Sequence, residues 1–282
     1  INITYKKLGG KLMQTKLITY FNIKGGIYKT SMSIITAYEL AKDKNTKILL
    51  WDLDLQENLT QYVYKVNHED KTTIDIVDGL GAEEVIVKCP NPNYPNIDII
   101  PSDIGLAMLD EKISLQPARE KVLARWYMQN IDVLEKYDYI ICDLSPSYNL
   151  TAKNILYLAD SIIVPIMDKN ISSLRGAALF KELWTRDKYY LEKEDNDIKA
   201  TVLVGYEKQR TQVSDLFDQY LQKFEELKDM MLESFIRRNT FVEKALLSKL
   251  SISDYLKKNG QTHFSKEEVE NMIKELKEKD VL

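Results

Sequence analysis

The segment from Lys16 to Asp54 constrains the fold of this chain more than any other stretch. Its pattern predicts a strand, a glycine-containing loop, a helix, a second strand and an acidic pair, at 17–21, 22–28, 29–41, 48–51 and 52–54. This order is typical of a P-loop nucleotide site, where backbone N–H groups and the positive end of a helix dipole hold phosphates. Lys29 stands where a lysine contacts the β- and γ-phosphates, and Thr30 where a hydroxyl ligates Mg²⁺.

The plain pattern G-x-x-x-x-G-K-[ST] requires glycine at two positions where this chain has Ile23 and Tyr28. A more specific pattern fits better, because Lys24-Gly25-Gly26-Ile27-Tyr28-Lys29-Thr30-Ser31 resembles the deviant Walker A box, KGGxxK[ST][ST], of the ParA/MinD superfamily of ATPases. Residues 50–60 are similar to the DxDpQgNlT segment of ParA proteins, and residues 137–147, followed by 159–165, to their Walker B and switch II segments. The three motifs occur in the family's order over most of residues 16–215. The chain is therefore identified as a member of this superfamily, of the ParA type.

The resemblance implies a role for each motif residue. Lys24 is the family's signature lysine, which reaches the nucleotide of a partner subunit in a dimer, Lys29 neutralises phosphates, and Asp54 orients the attacking water. Mg²⁺ is expected at Thr30, Asp52 and Asp143. The other residues expected to contact ATP are Gly25, Gly26, Ile27, Tyr28 and Ser31. Lys208 and Arg210, in a segment similar to the family's YDxRT turn, are expected to line the adenine pocket, with the DNA-contacting surface as the alternative.

Each motif residue also has an ordinary alternative. Lys29 can be a surface lysine at a helix start, Thr30 an N-cap, and Asp52 and Asp54 solvated charges at a strand end. Asp143 is different, because an unpaired carboxylate at the end of an apolar strand is costly, and a water-mediated Mg²⁺ contact explains it better. The sequence has only two histidines, neither near these motifs, so hydrolysis is expected to depend on positioning and electrostatics around an in-line water.

Short apolar runs alternate with helical patterns along the chain, which predicts an α/β fold with a doubly wound, mostly parallel sheet flanked by helices. Ligands of such a fold lie at the carboxyl ends of the strands, where Lys24, Asp54 and Asp143 are expected to meet. Residues 13–282 are expected to form one P-loop ATPase domain, with 230–282 as a helical C-terminal elaboration that contacts DNA or a partner. Residue 1 is not Met, so Met13 is a candidate start and residues 1–12 an extension.

The bulk composition is that of an ordinary globular chain, with a formal net charge of −4 and a pI near 5.5. No apolar run is long enough to span a bilayer, and the start lacks a secretory signal pattern. Cys142 lies inside an apolar strand and is expected to be a buried, reduced thiol, which favours the cytoplasm. Because the whole chain is acidic, any DNA contact must come from a local patch.

Residues 237–258 form such a patch, with six basic and two acidic side chains and a net charge of +4. In ParA-like proteins the matching region binds DNA without sequence preference, which makes Arg237, Arg238, Lys244 and Lys249 the candidates here; an ordinary solvated face is the alternative. The last helix, at 266–279, has an apolar stripe but many glutamates on its polar face. It is therefore expected to pack on the domain, and no membrane contact is expected.

The resemblance implies an ATP-dependent dimer that coats DNA in the nucleoid and is released by hydrolysis when a centromere-binding, ParB-type partner stimulates it. Two alternatives stay open. One is a MinD-like positioning ATPase that acts on a membrane or a protein cargo. The other is a hydrolysis-impaired scaffold, because Tyr28 replaces a small residue next to the phosphates and demands an unusual φ or obstructs the loop. Alternatively, the Tyr28 ring points outward and its hydroxyl contacts the nucleotide or a partner subunit. Leu55 and Glu57, in place of the usual proline and glycine, are expected to reshape the first switch loop.

Overall fold

The computed structural model describes residues 7–8, 11–12, 15–67, 69–194, 197–209 and 211–282, with side chains from residue 15 onward. Two short strands near the start, β1 (Lys7–Leu8) and β2 (Lys11–Leu12), pair antiparallel with each other. The predicted extension at 1–12 otherwise lies outside the described residues.

Seven further strands form one sheet in which every neighbouring pair is parallel. They are β3 (Lys16–Tyr20), β4 (Ile48–Leu53), β5 (Ile97–Ile100), β6 (Tyr139–Leu144), β7 (Ser161–Met167), β8 (Ile198–Tyr206) and β9 (Met231–Arg237). Their spatial order is β5-β4-β6-β3-β7-β8-β9. The first strand of the sheet therefore lies in its middle, with β6 on one side and β7 on the other.

Helices connect the strands and cover both faces of the sheet. They are α1 (Lys29–Leu40), α2 (Asn58–Val63), α3 (Thr73–Val77), α4 (Ala82–Val85), α5 (Leu109–Ser114), α6 (Val122–Gln129), α7 (Ile131–Leu134), α8 (Leu150–Leu158), α9 (Ile171–Leu191), α10 (Gln212–Gln222), α11 (Glu225–Asp229), α12 (Thr240–Leu247), α13 (Ile252–Lys258) and α14 (Ser265–Glu278). Short 3₁₀ turns occupy Ile104–Met108 and Arg119–Lys121. The predicted α/β fold with a doubly wound parallel sheet is confirmed.

Two large apolar clusters, one on each face of the sheet, form most of the core, and a smaller third cluster surrounds α5. All six residues of β4 are buried; Trp51 belongs to one cluster and Leu50 to the other, as alternation along a strand requires. Because both faces are covered, the strands are continuous apolar runs rather than alternating ones. Cys142 is buried in β6, as predicted, and its thiol has a pKa raised by burial.

The C-terminal helix α14 packs on the domain, as predicted from its sequence. Its apolar stripe, which includes Met272 and Leu276, is buried in one core cluster. Its polar face also satisfies the outer edge of the sheet, because the Glu275 carboxylate accepts hydrogen bonds from the backbone N–H groups of Glu233 and Ser234, both at 2.9 Å. Those groups belong to the edge strand β9, so the helix shields an edge that could otherwise pair with another chain.

One predicted helix is wrong in its extent. The amphipathic pattern of residues 211–228 predicts one long helix, whereas α10 ends at Gln222 and α11 begins at Glu225. Phe224 leaves helical dihedral angles and packs against the core, so tertiary packing breaks the helix. No helix among the described residues is long and apolar enough to cross a membrane.

Candidate nucleotide site

The loop between β3 and α1 turns sharply at two residues with left-handed backbone. Gly26 has φ 72° and Tyr28 has φ 65°, and Tyr28 is the residue that precedes the first turn of α1. Glycine adopts such angles freely, whereas a tyrosine is strained there. Gly25 and Gly26 are exposed, so their backbone can be approached closely by a ligand at the positive end of α1.

Lys29 lies beneath this loop. Only 7% of the residue is exposed, and its Nζ donates a hydrogen bond to the backbone carbonyl of Lys24 at 3.2 Å. Burial lowers the pKa of the Lys29 ammonium, and the charges of Asp143 and Asp54 oppose that effect. The side chain is therefore held as a buried cation at the start of α1, where a phosphate would provide a stronger counter-ion than a carbonyl.

Asn22 anchors the start of the loop, a role that the sequence pattern did not reveal. Its buried amide donates to the backbone carbonyls of Pro165 at 2.9 Å and Ser173 at 3.0 Å, and its Oδ1 accepts from the N–H of Lys24 at 3.0 Å. The side chain thus ties the loop to β7 and α9. A polar residue directly after a buried strand was the signal for this role.

Helix α9 approaches the loop closely at Gly176. A Cβ at this position would lie 2.6 Å from Asn22 Oδ1 and 3.3 Å from the backbone nitrogen of Lys24. The first distance is too short for any real contact, so a larger residue would displace Asn22 from Lys24.

We expect Gly176→Ala to weaken ATP binding about tenfold while lowering the free energy of unfolding by no more than about 2 kcal/mol. Alanine gains about 1 kcal/mol of helix propensity, which offsets part of an overpacking cost of about 1–3 kcal/mol. The Lys24 amide, however, loses its acceptor, and the loop loses its shape. Titration with fluorescent ATP and thermal unfolding measure the two effects, with Ser172→Ala on the exposed side of the same helix as the control. Unchanged affinity would show that Asn22 does not set the loop geometry.

Asp52 and Asp143 lie side by side on neighbouring strands, paired in register on β4 and β6. Both are fully buried, and burial is the main cause that raises the pKa of each; the Asp54 carboxylate adds to it at Asp52, and the Asp52 carboxylate adds to it at Asp143. Asp52 is well partnered: its carboxylate accepts hydrogen bonds from the N–H of Asp54 at 3.0 Å and from the N–H and hydroxyl of Thr60 at 2.8 and 2.6 Å. Asp52 therefore shapes the turn after β4, and its oxygens are already engaged.

Asp143 has no such partners. The Thr30 hydroxyl lies close enough to lower its pKa somewhat, yet neither carboxylate oxygen has hydrogen-bonding geometry to any described protein group. Buried carboxylate oxygens without donors are costly, and they are typical of a site that completes itself with a cation or its water shell. This orphaned carboxylate lies near Lys29, and the two attract each other electrostatically.

Asp54 is the third acid at this edge of the sheet. It is 8% exposed, and its Oδ1 accepts a hydrogen bond from the N–H of Gln56 at 3.0 Å. The switch loop that follows turns at Glu57, which has φ 55°, the conformation expected where the family has glycine. Glu57 thus gives the turn the backbone conformation that a glycine would adopt. Leu55 projects outward, and 40% of it is exposed.

The Tyr28 ring points toward β8. Its Cε2 lies 3.6 Å from the place where a Cβ of Gly205 would be, and the half-buried ring packs against the core cluster on that face. Gly205 has φ 66°, so both residues of this contact have left-handed backbone. The predicted unusual φ at Tyr28 is therefore observed, and the ring packs toward the end of β8.

Lys208 is exposed in the turn after β8, at the same edge of the sheet. Lys169 fixes that turn, since its Nζ donates hydrogen bonds to the carbonyls of Glu207 at 3.1 Å and Gln209 at 2.6 Å. Arg210, the other residue expected near the adenine, lies outside the described residues. Lys24 is exposed on the P-loop, with a side chain available to a second molecule.

The four candidate DNA-contacting residues differ in their exposure and in how strongly they are paired with acidic side chains. Arg237 is committed internally: its Nε lies 3.3 Å from a Glu268 oxygen and its guanidinium 4.6 Å from the centre of the Phe264 ring. Arg238 is 66% exposed and only loosely paired with Glu207, and Lys244 is exposed. Lys249 is half-buried at a turn with φ 53°. Arg238 and Lys244 are thus the most accessible charges of the four.

Fold and site together define a P-loop nucleotide-binding protein: a glycine loop at a helix start, a buried lysine beneath it, and carboxylates at the carboxyl ends of adjacent parallel strands. A protein-family model described as an AAA domain matches residues 15–199. Soj, a sporulation initiation inhibitor protein of Bacillus subtilis, is 32% identical over 162 residues, which cover 54% of this chain and 58% of Soj. The chain belongs to the ParA/MinD superfamily of P-loop ATPases.

Cell division protein PomZ of Myxococcus xanthus is also 32% identical, over 58% of this chain and 49% of PomZ. The matched part of this chain thus spans about half to two-thirds of the length of such curated relatives. Among solved structures, a putative plasmid partition protein of Borrelia burgdorferi bound to AMPPNP has a TM-score of 0.71 at 24% identity, covering 94% of this chain and 99% of that one. Apo McdA of Cyanothece has a TM-score of 0.76 at 18% identity, with the same coverage. At these identities the structures establish the fold.

Proposed function

We propose that this chain is a Mg²⁺-dependent ATPase of the ParA type that acts in segregation of a plasmid or chromosome. The observation that carries the proposal is the orphaned Asp143 carboxylate beside the buried Lys29, at the start of α1. ATP and Mg²⁺ together would supply the negative phosphates and the positive ion that these two side chains lack. The fold similarity to an AMPPNP-bound partition protein supports the same assignment.

The residues present fit Mg²⁺ in its usual protein environment. No group of three or more His, Cys, Asp or Glu side chains among the described residues could hold a metal by itself. Mg²⁺ rarely needs one, because it binds one or two protein oxygens and completes its shell with phosphates and water. The Thr30 hydroxyl and the free Asp143 oxygens would hold it, with Asp52 orienting the backbone beside them. When bound, the ion neutralises charge on the transferred phosphate.

The chain's own side chains supply positioning. Lys29 presents a buried ammonium to the β- and γ-phosphates, and the backbone of Gly25 and Gly26 surrounds them. Asp54, slightly exposed and held by the N–H of Gln56, would orient an attacking water. Lys24, exposed on the loop, would contact the nucleotide of a second subunit. The proposal therefore includes an ATP-dependent dimer.

The dimer would bind DNA without sequence preference and lie on the nucleoid in the cytoplasm, and a ParB-type activator would stimulate its release. Arg238 and Lys244 support the DNA contact because they are exposed and at most weakly paired. The MinD-like alternative, a positioning ATPase for a membrane or a cargo, would use the same P-loop fold and nucleotide site. Its membrane version is disfavoured, since the apolar stripe of α14 is buried.

We expect duplex DNA of random sequence to bind only when ATP and Mg²⁺ are present, and to bind more weakly as salt rises. Replacing Arg238 and Lys244 together by glutamine should lower affinity about tenfold and reduce the salt slope by about two. Fluorescence anisotropy over a salt series with ATP, ADP or no nucleotide measures both. Lys199→Gln with Lys228→Gln removes the same charge from other exposed positions and is the control. Binding without nucleotide would instead support the scaffold, and ATP binding without DNA binding would support the cargo alternative.

A further inference from the structure

A lysine pocket lies at the amino ends of the strands, on the edge of the sheet opposite the nucleotide site. We define it by the four lysines that line it: Lys44, Lys47, Lys88 and Lys136. They precede or adjoin the starts of β4, β5 and β6, and the pocket has a volume of about 400 Å³. The six-residue strand β4 separates the two edges by roughly 20 Å, so this pocket is distinct from the P-loop.

The floor of the pocket is built from a connected polar group. Lys88 Nζ lies 2.9 Å from Asp98 Oδ2 and donates to the Tyr137 hydroxyl at 2.6 Å, and that hydroxyl donates to Asp98 at 2.6 Å. Burial and Asp98 raise the pKa of Tyr137, so the phenol stays protonated and keeps donating. Lys44 is placed over the ring of Tyr94, with its Nζ 5.6 Å from the ring centre. Two of the four ammonium groups are thus held by neighbours.

The other two, Lys47 and Lys136, are exposed and make no ion pair with any described residue. Among the described residues, Asp98 is the only acidic side chain that lines the pocket, and it is already paired with Lys88. The nearby Asp138 carboxylate accepts a hydrogen bond from the backbone N–H of Lys47 at 2.7 Å and keeps its negative charge, so the four ammonium groups still outnumber the carboxylates beside them. A net positive charge therefore concentrates in one concavity of a chain whose net charge is −4.

We propose that the lysine pocket binds a small anion with several clustered phosphate groups. Ammonium groups are strong point-charge partners for phosphate, and four of them around one concavity repel one another until an anion is present. The volume suits a small ligand and is far too small for a macromolecule to enter. Pro95 and Val133 in the wall could contact an apolar part of such a ligand, but the four lysines are expected to determine which ligand binds.

The proposal is tested by calorimetric titration with sodium tripolyphosphate at low salt, without Mg²⁺, in a Lys29→Ala background that removes phosphate binding at the P-loop. We expect one site, weakened about tenfold or more by adding Lys47→Gln and Lys136→Gln. Adding Lys199→Gln and Lys228→Gln instead, as a matched loss of charge, should change little. Equal weakening by both pairs, or no binding in the background, would overturn the proposal.

A second measurement uses the unmodified protein, so that it does not depend on how the variants fold. Tripolyphosphate should slow acetylation of Lys47 and Lys136 about fivefold relative to Lys199 and Lys228, as followed by mass spectrometry. Equal labelling with and without the anion would refute a site at this pocket. Protection by a short DNA duplex but not by tripolyphosphate would also refute it, and would assign these lysines to a nucleic-acid surface.

Discussion

Replacing Asp143 by asparagine should lower ATP hydrolysis about 10²-fold or more while making the nucleotide-free protein more stable. The activity falls because the uncharged amide cannot support Mg²⁺ beside Thr30, and loss of one preorganised charge partner typically has this magnitude. Stability rises because the wild-type carboxylate is buried and has no hydrogen-bond donor for either oxygen. Removing that charge should gain about 1–2 kcal/mol, even though Lys29 loses a partner. A gain of this size raises the melting temperature by about 2–4 °C per kcal/mol.

The stability gain should depend on pH with a definite sign. Burial and the neighbouring Asp52 raise the pKa of Asp143 well above its ordinary value of 3.8. Between the ordinary and the raised pKa, the folded state binds more protons than the unfolded state, so the wild-type protein loses stability as pH rises through this window. Asp143→Asn has no carboxyl group to titrate at this position, so it does not lose stability over this pH window. Its advantage should therefore be near zero below about pH 4 and should grow as pH rises, as measured by denaturant unfolding at several pH values.

Asp132→Asn is the matched control, because Asp132 is exposed on α7 and makes no ion pair with a described residue. It should change neither activity nor stability noticeably. If Asp143→Asn hydrolysed ATP like the wild type, the proposed metal site would be wrong. If it lost activity and was also less stable at pH 7.5, Asp143 would have a structural partner that the static geometry does not show.

The sequence predicted the site well where a local pattern determines local structure. The strand–loop–helix order around Lys29 came from residues that lie next to one another in the chain, and the structure places them as expected. Asp143 was singled out because a carboxylate at the end of an apolar run has to be explained, and neither of its oxygens has a hydrogen-bond partner among the described residues. The parallel sheet followed from apolar runs without alternation.

The sequence could not supply contacts between distant segments. Asn22 is bonded to residues more than 140 positions away, and Gly176 touches the same side chain from α9. The resemblance assigned Asp52 and Asp143 alike to Mg²⁺, and only the position of Thr60 in the fold shows that the Asp52 oxygens are engaged. The break near Phe224 likewise comes from packing against the core, which competes successfully with a continuous helical pattern.

Substitutions at Tyr28 are expected to have the second large effect, because this residue makes two opposing contributions to the free energy of unfolding. Its left-handed backbone costs a non-glycine residue about 1–2 kcal/mol. Its half-buried ring, packed on Gly205, returns a comparable amount through apolar burial. Alanine would remove the ring and keep the strain, whereas glycine would remove both. The difference between these two variants therefore isolates the backbone contribution.

We expect Tyr28→Ala to lose about 1–2 kcal/mol of unfolding free energy and Tyr28→Gly about 1 kcal/mol less than that. Tyr28→Phe keeps the ring and should stay within about 0.5 kcal/mol of the wild type. Denaturant unfolding of the three variants without nucleotide measures these values. Equal stability of the alanine and glycine variants would show that residue 28 relaxes out of the left-handed region, and that the strain is not stored in the folded protein.

The rates of ATP hydrolysis of the same variants distinguish an active ATPase from a hydrolysis-impaired scaffold. The ring lies against Gly205, and the φ at Tyr28 is one that glycine would also adopt, so the P-loop backbone already has the shape that the motif needs. Tyr28→Gly should then change the rate of ATP hydrolysis by less than about threefold. A rise of tenfold or more would mean that the tyrosine restrains catalysis, which would favour the scaffold. Because strain and turnover are measured on one residue, an alanine variant of lower stability together with a glycine variant of unchanged rate would show that Tyr28 serves packing at the end of β8 while the P-loop remains competent for hydrolysis.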